Sequence, residues 1–223
     1  HFLSSNKNPF KLFVKAKSWF MNRAIVSTFI AFLLHLAVAD AQDNWELSKA
    51  KDGITIYTAQ RQNSNLLAYR IETTVKGDLN EVYQQAVDFH ENKKYLETVD
   101  RIRVLRRDPD EEVLVYMLFN LPWPFRDRDF VNRMTMDVRQ DSIILQSSPA
   151  TKQVEPINGV IRIGEFSETW HLVRLSSGST KLHLQGYADP GGSLPSWVIN
   201  RFIVKEPYAL VQGIKEEVEK SDP

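Results

Sequence analysis

The stretch DPGGSLPSWVINRFIVKEPYALVQGIKEEVEK, residues 189–220, constrains the fold more than any other part of the chain. Gly191-Gly192 and Pro195 supply a turn followed by helix-start chemistry. Beyond them Trp197, Val198, Ile199, Phe202, Ile203 and Val204 spread over a wide arc, and a helix apolar on so many sides must be enclosed. Pro207 lacks a backbone donor and crowds the carbonyl of Ile203, so it interrupts that helix. The end, Lys215 to Lys220, is charged and faces water. Something has to wrap this helix, and what precedes it is mostly strand.

Gly53 to Thr58 alternates like a strand, and Leu67 to Val75 reads as a second. Asp78 caps a predicted helix in which Leu79, Val82, Tyr83, Ala86 and Val87 recur at helical spacing. Strands are then predicted over 99–106, 112–121, 130–139, 143–147, 160–164, 166–175 and 180–187. Two strands, a short helical region, a long run of strands and one closing helix make an α+β chain with an antiparallel meander. From residue 43 onward the sequence has no low-complexity linker, no long charge block and no internal repeat, which predicts one domain.

Side chains alternate faces along a strand. From Phe130 the even positions are Phe130, Asn132, Met134, Met136 and Val138, and these face inward; Val131, Arg133, Thr135, Asp137 and Arg139 face water. Leu182, Leu184, Gly186 and Ala188 are inward by the same rule, against Lys181, His183 and Gln185. Methionine fits adaptable apolar surfaces, and Gly and Ala leave room beside a strand. An ordinary core explains this pattern as well as a cavity does.

The chain is formally neutral, with 28 basic and 28 acidic side chains. Residues 1–41 hold Lys7, Lys11, Lys15, Lys17 and Arg23 against Asp40 alone, which leaves an acidic remainder. An acidic body offers no electrostatic footprint for nucleic acid. Met21-Asn22-Arg23, the apolar run from Ala24 to Val38 and the small residues Ala39 and Ala41 have the three-part layout of a secretory signal. The run is shorter than the ~20 residues of a membrane-spanning helix. The sequence therefore predicts an N-terminal extension and signal over 1–41, cleavage near Ala41, and an exported, periplasmic or secreted domain over 42–223. Residues 1–20 read as upstream of the start at Met21. Cysteine is absent, which excludes disulfides, thiol nucleophiles and thiolate metal sites.

Several short patterns occur in a specific order. Pro122-Trp123-Pro124 precedes Arg128-Asp129-Phe130-Val131, and Asp189, Pro190, Gly191, Gly192, Leu194, Pro195, Trp197 and Asn200 lead into the last helix. This order resembles the START (steroidogenic acute regulatory protein-related) lipid-transfer family. Trp45 to Thr58 looks like that family's opening, and Gly159-Val160-Ile161-Arg162 is similar to its central strand. The resemblance implies a helix-grip fold, in which a curved antiparallel sheet wraps the long C-terminal helix around a tunnel for one lipid.

Taken with the parity, it gives a lining set of Leu114, Tyr116, Leu118, Phe130, Asn132, Met134, Met136, Glu168, Trp170, Leu182, Leu184, Trp197, Ile199, Phe202 and Ile203. Arg128 and Asp129 read as a structural cluster at the strand's start, because a buried arginine needs a carboxylate or several carbonyls. Several family members carry an inward arginine where this chain has Met134, so the resemblance implies a less polar or smaller-headed lipid here.

The implied partner is a lipid or other hydrophobic small molecule, with transient membrane contact allowed, no nucleic acid, and a monomeric state. No cofactor is implied, and none of His90, His171 and His183 has metal-ligand spacing. Ser193 and Ser196 fit helix capping. No G-x-S-x-G, P-loop or G-x-G-x-x-G is present. Glu168 is an inward carboxylate whose partner is Arg128 or Arg162, or which acts as a base. The last option defines the alternative, a polyketide cyclase-like enzyme acting on a hydrophobic aromatic substrate in the same cavity. An enzyme needs several converging polar groups, and Asn132 and Glu168 are nearly alone, so non-enzymatic lipid binding is the expectation.

Overall fold

Asp52 and Gly53, at φ 55° and 72°, turn the chain between its first two strands, β1 (Glu46–Lys51) and β2 (Ile54–Gln60). Asp-Gly is the pair that two-residue hairpins favour. The computed structural model describes residues 44–61, 66–108, 112–176 and 178–221. The predicted extension and signal lie outside the described residues. After β3 (Leu67–Lys76) come α1 (Leu79–Ala86) and a single-turn α2 (Phe89–Asn92). The strands then run β4 (Val99–Asp108), β5 (Glu112–Phe119), β6 (Arg128–Val138), β7 (Ser142–Pro149), β8 (Ile161–Arg162), β9 (Glu165–Ser176) and β10 (Ser179–Asp189). The chain closes with α3 (Ser196–Asn200), a π-helical turn (Arg201–Lys205) and α4 (Glu206–Ser221).

The sheet order is β1-β2-β3-β10-β9-β7-β6-β5-β4, every neighbour antiparallel, with β8 lying parallel beside β6. This is the predicted helix-grip arrangement: an open antiparallel sheet holding the C-terminal helix against its inner face. The edge strand β1 was not anticipated from Gly53, because Glu46 to Lys51 is largely polar and exposed. The strand expected over 160–164 shrinks to β8.

Local chemistry sets the helices. Asp78 accepts from the backbone of Asn80 (2.7 Å) and Glu81 (3.0 Å), and the Glu81 carboxylate accepts from the Asp78 N–H at 2.9 Å. This capping box starts α1, which buries Leu79, Val82 and Ala86. In contrast, α3 starts at Ser196 with Pro195 in the cap position and no side-chain cap, so Ser193 does not play the capping role expected of it. α4 buries the stripe Tyr208, Val211, Ile214 and Val218 against the sheet. Gly213 lets it approach closely, since a Cβ there would stand 2.4 Å from the Tyr95 ring.

Pro207 interrupts the helix in a specific way. The Glu206 N–H reaches back five residues to the Arg201 carbonyl, so the turn before the proline is wide rather than broken. In a regular α-helix the Ile203 carbonyl would meet the proline ring; one widened turn relieves that conflict while the helix continues.

Candidate functional site

The inner face of the sheet carries one polar rung across five strands. Met134 on β6 stands opposite Ser147 on β7, Ser147 opposite Glu168 on β9, Glu168 opposite Gly186 on β10, and Gly186 opposite Tyr69 on β3. With no side chain at Gly186, its two neighbours meet over it. The Tyr69 hydroxyl donates to Glu168 Oε2. Trp170 Nε1 donates to Glu168 Oε1 at 2.8 Å. A Cβ on Gly186 would lie 3.0 Å from the Tyr69 hydroxyl and 2.8 Å from the Ser167 carbonyl oxygen, so the glycine is what permits the pair.

Burial pushes the Glu168 carboxyl above its ordinary range, and the bonds from Tyr69 and Trp170 only partly offset this. Burial, with the neighbouring Glu168, holds the Tyr69 phenol well above its usual value. Beside the rung, Asn132 Nδ2 donates to Ser147 Oγ at 3.1 Å, while Asn132 Oδ1 is buried without a partner.

Next to this rung is an aromatic wall. Phe130 packs between Phe119 (5.3 Å between centroids) and Phe166 (5.0 Å), and Phe202 from the π-helical turn meets Phe119 edge-on at 5.5 Å. Rung and wall line a partly open cavity of about 180 Å³, completed by Leu96, Ile102, Met117, Ile163, Leu184, Ile203, Leu210 and Glu206 among others. Drug-sized ligand pockets run to roughly 300–1,000 Å³, so this conformation has room for part of a lipid rather than a whole one. Glu206 Oε1 accepts from the Thr98 N–H at 3.0 Å; its Oε2 is buried without a partner, and burial raises this carboxyl also.

Of the residues proposed from sequence, Phe130, Asn132, Met134, Glu168, Trp170, Leu184, Phe202 and Ile203 line the cavity. Leu182 is fully buried in the core, where Met136 and Ile199 also pack, and the Tyr83 hydroxyl points at the Met136 sulfur at 3.1 Å. Trp197 is 55 % exposed, its ring edge-on to Phe125 at 6.0 Å. Leu114, Tyr116 and Leu118 require correction. Register pairs Val113 with Met134, Val115 with Asn132 and Met117 with Phe130, so the odd residues of β5 face the cavity.

Leu114, Tyr116 and Leu118 lie on the other face, in a separate cluster with Val131, Ala150 and Val154. Because β5 is apolar on both faces, alternation could not tell them apart. Tyr69, Ser147, Phe119 and Glu206 were missed. Gly186 on the otherwise apolar inward face of its strand was the available sign that side chains close over that point.

The alternating charges at the start of β6 hold this end of the molecule together. Arg126 Nε donates to the Gly159 carbonyl at 3.0 Å, and Asp127 accepts from the Leu121 N–H at 3.0 Å. Arg128, only 3 % exposed, donates to the carbonyls of Arg126, Pro190 (3.0 Å) and Gly191 (2.8 Å). It finds carbonyls rather than a carboxylate, and burial lowers its pKa. Asp129 takes a two-pronged ion pair from Arg162, at 2.7 and 2.9 Å, and Arg162 also donates to the Thr151 and Val154 carbonyls. Glu168 therefore partners neither Arg128 nor Arg162, and neither arginine lines the cavity.

On the outer face His171 and His183 stand opposite each other, and His183 approaches Glu72 at 3.6 Å. Among the described residues no group of three or more His, Asp or Glu side chains is placed to hold a metal ion.

The START domain family profile matches residues 32–219. An uncharacterised protein of Pseudomonas aeruginosa is 28% identical over 179 residues, covering 80% of this chain and 88% of that protein. The mouse phosphatidylcholine transfer protein is 27% identical over 166 residues, covering 70% of this chain and 75% of that protein. Among solved structures, the STAR-related lipid transfer protein of Xanthomonas axonopodis superposes with a TM-score of 0.70 at 26% identity, over 79% of this chain and 99% of that one.

Proposed function

The chain belongs to the START domain family, and on that premise we propose that it binds one hydrophobic, lipid-type ligand between sheet and C-terminal helix and carries or senses it without chemical change. The observation that carries this reading is the largely apolar cavity with its aromatic wall and one short polar rung. Ligand sites of this kind are mostly apolar with few polar anchors. Trp123, 92 % exposed at the tip of the β5–β6 turn, and Trp197, whose ring meets Phe125 of the same turn, offer amphipathic rings for brief contact with a membrane surface. Native mass spectrometry of the purified protein tests the reading: a co-purified lipid supports it, and a protein that neither retains nor takes up any lipid refutes it.

One observation favours an enzyme instead, namely a buried carboxylate with a raised pKa inside the cavity. Both Glu168 oxygens, however, already accept hydrogen bonds from Tyr69 and Trp170, which suits a fixed structural group better than a base. Recovery of a bound ligand with the mass at which it was supplied separates carriage from turnover. We also propose that residues 1–41 direct export, with the mature protein starting at Gln42. N-terminal sequencing of periplasmic or secreted protein checks this, and a membrane-bound form retaining 24–38 would overturn it.

A further inference from the structure

We infer that the cavity selects a neutral, hydroxyl-bearing head and rejects phosphate-headed lipids; this rests on the lipid-binding reading above. The charged residues lining the cavity are Glu168 and Glu206, and none of the lining residues is Lys or Arg. Arg201, which faces Glu206 at 3.9 Å, lies outside the lining, so a phosphodiester entering there would meet carboxylates and no lining cation, and an unpaired buried charge is strongly unfavourable.

Two of the donors around the rung, the Tyr69 hydroxyl and Trp170 Nε1, are committed to Glu168, and Asn132 Nδ2 places one hydrogen on Ser147 Oγ, which leaves the Ser147 O–H as the rung's own donor toward the cavity. What remains unsatisfied is of one kind. Asn132 Oδ1 and Glu206 Oε2 are both buried without a partner, on side chains that line the cavity, and both are acceptors. Asn132 is 5 % exposed and Glu206 8 %. A buried acceptor left unpaired costs about 1–3 kcal/mol, so an occupant that brings an O–H to Asn132 removes that cost. A head offering only acceptors cannot do this. Asn132, on β6, thus reads the head group, and Ser147 fixes which end of its amide faces the ligand.

Three probes of equal chain length test this, each used below its micelle threshold in competition with a neutral solvatochromic dye: dodecanol, its methyl ether and dodecyl phosphate. Dodecanol should displace the dye at least about tenfold more tightly than the methyl ether, the equivalent of 1.4 kcal/mol for one satisfied acceptor, and dodecyl phosphate should be the weakest. Asn132→Leu should bring the alcohol and ether together by weakening the alcohol alone. Ser147→Ala is a milder variant that frees Asn132 Nδ2 to face the cavity, and it should strengthen the ether relative to the alcohol.

Equal binding of alcohol and ether to the unmodified protein, or tight binding of dodecyl phosphate, would overturn the head-group assignment while leaving lipid carriage standing. Displacement by none of the three, from a protein that also carries no lipid, would overturn the carriage reading itself.

Discussion

Gly186→Ala is the sharpest probe of the polar rung, because its cost can be worked out from two contacts. The added Cβ would sit 2.8 Å from the Ser167 carbonyl oxygen, a backbone atom that cannot step aside, and 3.0 Å from the Tyr69 hydroxyl, which can. Crowding of the first kind costs about 1–3 kcal/mol. Displacing Tyr69 removes its bond to a buried carboxylate, and hydrogen bonds to charged groups contribute about 1.5–3 kcal/mol. The two together predict a loss of roughly 2.5–6 kcal/mol, and each kcal/mol lowers Tm by about 2–4 °C in a domain of this size.

Tyr69→Phe alone should lose only the hydrogen bond. In the double variant that bond is lost once rather than twice, so the double should be about 1.5–3 kcal/mol more stable than the sum of the singles implies. Urea unfolding of the four proteins, with m-values compared, measures this. Additivity within about 0.5 kcal/mol, or a Gly186→Ala protein as stable as the parent, would show that Tyr69 and Glu168 do not meet over the glycine.

Met134→Trp should fill cavity space, abolishing lipid uptake at a folding cost below the ~1–3 kcal/mol of an overpacked core; Thr135→Trp on the exposed face is the control, and thermal unfolding beside a binding assay distinguishes them. Arg162→Met should cost about 3–5 kcal/mol by leaving Asp129 charged and buried, and adding Asp129→Leu should restore much of it in urea unfolding. Glu168 and Glu206 both have raised native pKa values, so the stability these two groups contribute is fully present below the unfolded carboxylate value and is lost as pH rises through the native values; Glu168→Gln should remove its share of that loss, read as the difference from the parent in melts followed upward from about pH 4. Pro207→Ala should let the widened turn close into regular helix and slow exchange of a fluorescent lipid more than it changes affinity, and unchanged exchange kinetics would refute this.

Where a strand had one wet face, its orientation could be read from the sequence. Phe130, Asn132 and Met134 alternate with Arg133 and Thr135, and that contrast put these side chains inward, whereas Val131, expected to face water, is buried on the outer face and Val138, expected inward, is 62 % exposed. β5 had no such contrast, because the 150–162 segment dries its outer face, and Leu114, Tyr116 and Leu118 were accordingly misplaced. The Tyr69–Glu168 pair joins residues 99 positions apart, and only strand order brings β3, β10 and β9 side by side. The work of the alternating charges was half legible: burial of Arg128 demanded carbonyls or a carboxylate, but not that Pro190 and Gly191 would supply them. Glu206 was hidden for a simpler reason, since a glutamate in a helix ordinarily points to water.

The rung has one more consequence. Tyr69, Met134, Ser147, Glu168 and Gly186 each come from a different strand, and none makes the turns, caps or ion pairs that set the strand order. On the lipid-binding proposal, the cavity's polar side chains are therefore distinct from the groups that set the strand order, although Tyr69, Glu168 and Gly186 also contribute to stability. On the head-group proposal, substitutions at Asn132 and Ser147 would change which head is accepted, while the closing helix, the capping box and the Asp129–Arg162 clamp go on shaping the same container. A lineage, or an engineer, can change the cargo without redesigning the vessel.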